Sequence, residues 1–182
     1  MQDPGWPELV HNAVKVYGSY APDLYSGYKR FDLAKLVEVV KFFCYKNGVV
    51  ENRLVKLLFH ADFSHFKLFN TSITGLRYIH TQRGPEPEHF ETWRVALTDW
   101  MKVIRNDFVA DTKHYKVHFR NQVPDISLLD MTEIQVLSQA ANKFQFSNAA
   151  MISEDMPAGE GYNAGNKGEL ISYACANEMA EL

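Results

Sequence analysis

Leu54-Val55-Lys56-Leu57-Leu58-Phe59-His60-Ala61-Asp62-Phe63, followed by Ser72-Ile73-Thr74-Gly75-Leu76-Arg77-Tyr78, decides how this chain is read. Over residues 51–69, Leu54, Leu57, Leu58, Ala61 and His65 fall on one helical stripe, and Phe59, Phe63, Phe66 and Phe69 widen it. A helix apolar on that many sides is buried on most of them, which makes it the expected centre of the core. An acid at Asp62 amid Phe59, Phe63 and Phe66 must then be paired. Lys56, Arg77 and a backbone amide of the following segment are its candidate partners. Beyond the helix, Ile73, Leu76, Tyr78 and Ile79 form a short run closed by the turn signal Arg83-Gly84-Pro85-Glu86-Pro87. This predicts a strand or hairpin edge within 72–81.

Working outward, Trp6, Leu9, Val10, Ala13, Val14 and Tyr17 recur at helical spacing, so a helix is expected over 7–17, ended by Gly18. Residues 19–30 form a connector bearing Tyr20, Tyr25 and Tyr28, read as an ordered loop because that much aromatic surface is rarely left in water. Asp32 caps a helix running to about residue 46, with Asn47-Gly48 as its stop. After the turn signal, Phe90, Trp93, Leu97, Trp100, Met101 and Ile104 form a clean helical stripe. A hairpin of 107–110 with 114–119 is expected next, because Tyr115, Val117 and Phe119 alternate with Lys116, His118 and Arg120. Asp130 with Glu133 makes a capping box for a helix that turns Ile134, Leu137, Ala141 and Phe144 inward. A short turn over 147–153, a glycine-bearing loop over 156–168 and a closing helix from about Leu170 complete the chain. The fold class is therefore mainly α with small antiparallel β-hairpins, a single compact helical domain of the α+β type.

With 182 residues, 46% hydrophobic and 23% charged, the chain can bury a core without disulfides or metals. The formal charge of -3 lacks the positive balance of a phosphate-backbone binder, so nucleic acid is not expected as a partner of this chain alone. The acids Glu154, Asp155, Glu160, Glu169, Glu178 and Glu181, against Lys167 alone, make the tail acidic. Cys44 and Cys175 read as small buried hydrophobes in a reducing compartment. No apolar run approaches a membrane span and no leader pattern opens the chain, so a cytoplasmic protein is expected.

The sequence contains no CxxC, HExxH or GxxxxGK[ST] string. His60, Asp62 and His65 are the most tempting chemical group. At about 100° per residue the two histidines point about 140° apart, so the three read as packing residues with satisfied hydrogen bonds. The face carrying His114, Lys116, His118 and Arg120 could dock an acidic partner or a nucleic-acid backbone, although an alternating strand ordinarily turns its polar side to water. The chemistry argues against an enzyme, and no cofactor or metal is called for.

Taken together, the stretch 27–36 from Gly27-Tyr28-Lys29-Arg30-Phe31-Asp32, the 54–63 helix, Ser72 to Tyr78, Gly84-Pro85-Glu86-Pro87 and the closing Gly168-Glu169-Leu170-Ile171-Ser172-Tyr173 closely resemble the Panacea, or SocA-like antitoxin, domain. The resemblance runs over about 27–175, leaving 1–26 as an N-terminal helix and Tyr-rich connector before a Panacea domain of 27–182. It implies an antitoxin that neutralises a cognate toxin by direct binding; an adaptor that delivers its toxin to an ATP-dependent protease is the alternative within the family. For the adaptor, the acidic tail from Ser153 is the expected protease-facing segment. Family members often carry a DNA-binding domain ahead of this one, and 26 residues are too few for it, so DNA binding is not carried over. The motif residues carried over, for fold or partner contact, are Lys56, Asp62, Gly75, Tyr78, Gly84 and Pro85. The chain departs from the family pattern at Val55, at His60 and over 156–159. The exposed face of Lys116, His118 and Arg120 and the Tyr-rich connector are the places to look for the partner. An orphan phage- or plasmid-borne domain using His60, Asp62 and His65 is the reading from another class.

Overall fold

The computed structural model describes residues 6–45, 48–95, 103–106, 116–119, 123–154, 156, 165–180 and 182. In chain order they form α1 (Trp6–Ser19), α2 (Leu33–Cys44), β1 (Val49–Val50), α3 (Glu51–Phe69), β2 (Tyr78–Thr81), β3 (Gly84–Pro87), α4 (Phe90–Val95), β4 (Val103–Asn106), β5 (Lys116–Phe119), α5 (Met131–Lys143) and α6 (Ala149–Glu154). Short 3-10 turns cover Ile126–Leu128 and Tyr173–Glu178. The architecture is mainly helical with small antiparallel sheets. One sheet has the order β1-β5-β4 and the other is the β2-β3 hairpin.

α3 is the central element. It is buried continuously from Leu54 to His65 and touches α2, α5, α6, β3 and the closing 3-10 turn. Phe59 stacks on Phe63 at 4.0 Å and Phe63 on Tyr173 at 4.1 Å between ring centroids, so an aromatic column runs from the helix to the chain's last ordered turn. Asn70 ends the helix in the left-handed conformation, its N–H donating to the Phe66 carbonyl, as a C-terminal cap requires. At the other end of the chain α1 enters the core through Tyr17, which meets Phe31 and Trp93 edge-on at 4.9 and 5.1 Å.

The helix caps follow local chemistry. The Asp32 carboxylate accepts from the Lys35 N–H, and the Asp130–Glu133 capping box is present in both directions. Elsewhere the structure departs from the sequence pattern. α1 continues through Gly18, and α2 stops at Cys44. Residues 72–77 are not a strand but an irregular segment folded around a side chain of α3, and the turn signal at 84–87 is itself β3, in register with β2 from Tyr78 opposite Pro87 to Thr81 opposite Gly84. Ile104, expected on the α4 stripe, lies in β4. The observed partners of β5 are β1 and β4, with Ile104 of β4 opposite His118. Residues 107–110 lie outside the described residues. The expected turn over 147–153 is largely the helix α6, which runs on to Glu154, and the closing helix is a 3-10 turn that begins at Tyr173; Leu170 instead bridges Ile79.

Candidate functional site

Asp62 is wholly buried. Its Oδ1 accepts the backbone N–H groups of Ile73 and Thr74, both at 2.9 Å, and its Oδ2 accepts the hydroxyls of Thr74 at 2.6 Å and Tyr78 at 2.8 Å. Of the three partners open to it from sequence, the backbone amide is the one realised, with two hydroxyls added. Burial pushes the Asp62 carboxyl pKa up, and the four donors pull against that shift. The carboxylate thereby substitutes for the ladder partners that residues 72–77 lack. The same segment is tied on its far side, where Ser72 donates from its N–H to the Gly27 carbonyl and from its hydroxyl to the Ser26 carbonyl. Gly75 sits at φ +75, and a Cβ there would come within 2.7 Å of the Arg30 carbonyl carbon and the Phe31 nitrogen, so the close approach of the connector requires glycine.

A second knot lies two turns earlier on α3. Lys56, 2% exposed, donates from Nζ to the carbonyls of Arg83 and Pro85 and so holds the tip of the β2-β3 hairpin. Burial lowers its pKa to about 8, with nearby Glu86 opposing the shift. Gly84 sits at φ +92, a backbone conformation that favours glycine, and a Cβ there would also press on Lys56 Nζ at 2.7 Å. Thus Lys56, Asp62, Gly75, Tyr78, Gly84 and Pro85 come together as two internal knots along one helix, and the side chains of Lys56, Asp62 and Tyr78 do not reach the surface. Met156, at the point where the family pattern is broken, is buried against the Gly84 side of this arrangement.

The histidines flanking Asp62 point to different neighbours. His60 Nε2 meets the Ile152 carbonyl at 3.1 Å, while His65 meets the Thr71 carbonyl through Nδ1 and the Thr132 hydroxyl through Nε2. His60, Asp62 and His65 therefore do not converge. Among the described residues no group of three or more His, Cys, Asp or Glu is placed to hold a metal ion.

Three exposed rings, Tyr20, Tyr25 and Tyr28, stand on the connector. The Arg77 guanidinium lies 5.1 Å from the Tyr20 ring centroid and 6.0 Å from that of Tyr25, and pairs with Asp23 at 3.0 Å. Tyr28 is held at φ +53, unusual for a bulky residue, by its N–H donating to the Asp23 carbonyl. On β5, Lys116 is in register with Val50 and Asn106, and His118 with Ile104; Arg120 lies outside the described residues.

The match to known families fits this arrangement. The family described as antitoxin SocA-like, Panacea domain, matches residues 54–156, more than half of the chain. The chain belongs to the SocA-like Panacea family. The matched stretch begins at the first buried residue of α3 and takes in both knots of this Panacea domain. No curated protein and no solved structure matches the chain. No described helix is long and apolar enough to cross a membrane.

One element of the site carries no sequence signal beyond its capping box. Glu133, fully buried, also accepts Lys29 Nζ at 3.0 Å and Lys35 Nζ at 2.7 Å, so one carboxylate joins the connector, α2 and α5. Its lysines are about a hundred positions away, and no local spacing reports such a contact.

Proposed function

We propose that this chain is the antitoxin of a toxin–antitoxin pair and neutralises its toxin by binding it directly, without catalysis, in the bacterial cytoplasm. The observation that carries the reading is the Panacea family match over 54–156. The internal placement of the motif residues supports it from another side. Lys56, Asp62 and Tyr78 are spent on backbone and hydroxyl partners inside the fold, which is how a scaffold uses polar groups and not how an active site presents them. In this reading residues 27–182 form the Panacea unit, 1–26 add a helix and connector to it, and the partner meets surface groups. The connector's exposed tyrosines and the β5 positions Lys116 and His118, with Arg120 beyond them, are the groups first assigned to that surface; Tyr and Arg are favoured anchors in protein interfaces.

The test is co-expression with the product of the open reading frame beside this chain's gene. The reading expects growth arrest from the neighbour alone, rescue by this chain, and co-purification of the two in a fixed ratio. A neighbour that is harmless and does not bind would leave the family membership standing and remove the antitoxin role. Within a complex, Lys116→Glu combined with Arg120→Glu is expected to weaken binding; unchanged affinity eliminates the strand as a contact.

A further inference from the structure

A cleft of about 390 Å³ lies between the start of α3 and the segment joining α5 to α6. Its walls include Val50, Asn52, Arg53, Phe146, Asn148 and Ala149, and among the described residues no acid lines it. Phe146 stands at its edge 89% exposed, a large aromatic ring open to a partner. Arg53 is the charged group of the cleft. Its Nη2 donates to the carbonyls of Phe144 at 2.8 Å and Gln145 at 3.1 Å, which fixes the guanidinium against the α5–α6 joint, while its Nε–H is buried without an acceptor. Val50 in its wall also pairs in register with Lys116 of β5.

We infer that this cleft is the anchor point for the toxin, and that it takes a segment in which an apolar group stands beside a carboxylate. The inference rests on the antitoxin reading and adds to it the place and chemistry of contact. Charge complementarity selects the occupant. A guanidinium held in place with donors to spare matches a carboxylate in geometry and sign, and neither the cleft's lining nor its paired strand positions on β5 contributes a competing acid. The apolar walls of Val50, Phe146 and Ala149 take the adjoining apolar group. An arginine and an aromatic at one concave site are the residue types on which interfaces concentrate their binding energy, and the volume falls at the lower end of the range of pockets that hold a small group.

The experiment measures the affinity of the purified neighbouring gene product for the wild-type chain and for Phe146→Asp, Ala149→Trp, Arg53→Gln and Met131→Asp by calorimetry, each with a thermal melt. Phe146→Asp changes an exposed side chain and Ala149→Trp fills the cleft, so both test the site even if Arg53→Gln loosens the α5–α6 joint. Loss of at least about tenfold in affinity is expected for both. Met131, 79% exposed on α5, is the control, and its replacement is expected to leave affinity within about twofold. Added salt should weaken the wild type more than Arg53→Gln, since only the former carries the guanidinium. Wild-type binding that Phe146→Asp and Ala149→Trp leave unchanged overturns the cleft but not the antitoxin reading. Equal losses in Met131→Asp and the cleft variants also overturn it as the anchor, and a wild-type chain that binds nothing overturns both.

Discussion

At the scale of single residues, two buried ionisable groups, Asp62 and Lys56, serve the backbone of neighbouring segments. Asp62→Ala strips the acceptor from two amides and two hydroxyls in one stroke, all of them inside the core. Each buried donor left unsatisfied costs about 1–3 kcal/mol, so the variant is expected to lose at least about 3 kcal/mol, read as a lower urea midpoint. A loss under about 1 kcal/mol would mean that residues 72–77 do not depend on the carboxylate. Lys56 makes a prediction with a sign. Its folded pKa of about 8 lies below the ordinary lysine value of 10.5, so between those values the unfolded chain holds a proton that the folded chain has released. Stability therefore rises with pH through that window, by up to about 1.4 kcal/mol per unit. Urea unfolding of the wild type and Lys56→Met from pH 7 to 10 should show their difference growing in the wild type's favour; a flat or falling difference contradicts the lowered pKa of the buried lysine.

At the scale of elements, Glu133 decides how α2, α5 and the connector hold together. Glu133→Ala leaves Lys29 and Lys35 facing a site with no carboxylate, and the break is expected to cost about 3 kcal/mol. Urea midpoints of Glu133→Ala and of the Lys35→Met/Glu133→Met pair check it: the double apolar replacement should recover part of the loss, and an equal or greater loss would show that the charges are not what is missed. Much at this scale was legible. α3 was readable because its aromatic positions exceed one stripe, and the caps at Asp32 and Asp130 were readable because they act within a turn. What failed did so where periodicity is silent. Residues 72–77 have the apolar content of a strand, yet Gly75 at φ +75 and the pull of Asp62 bend them out of any ladder. Ile104 continues the 3.6-residue stripe of Phe90 and Trp93 but lies in β4, because pairing with β5 is a contact over distance that no short window contains. In the candidate site the need for a partner at Asp62 was readable, and the identity of the partners was not. The Arg53 cleft was wholly invisible, since the loop carrying Phe146 meets α3 only in the fold.

At the scale of the whole molecule, residues 171–176 near the C-terminus are part of the core and not a detachable tail. Ile171, Tyr173 and Ala176 are fully buried, Tyr173 donates to the Leu76 carbonyl, and the Ile171 and Tyr173 N–H groups bond to Tyr78 and Leu24. Truncation after residue 169 is therefore expected to abolish cooperative unfolding, with loss of the near-ultraviolet circular dichroism signal; a truncated chain that melts as sharply as the full one would refute this placement. The consequence for function is that removing this stretch cannot separate toxin binding from toxin delivery, so the two must be told apart in the intact chain. The most direct measurement is the amount of the neighbouring gene's product in cells that the intact chain has rescued from growth arrest. Neutralisation by direct binding predicts that the product stays at the level reached without rescue and is recovered in complex with this chain. Rescue accompanied by disappearance of the product, or rescue with no complex, would contradict it.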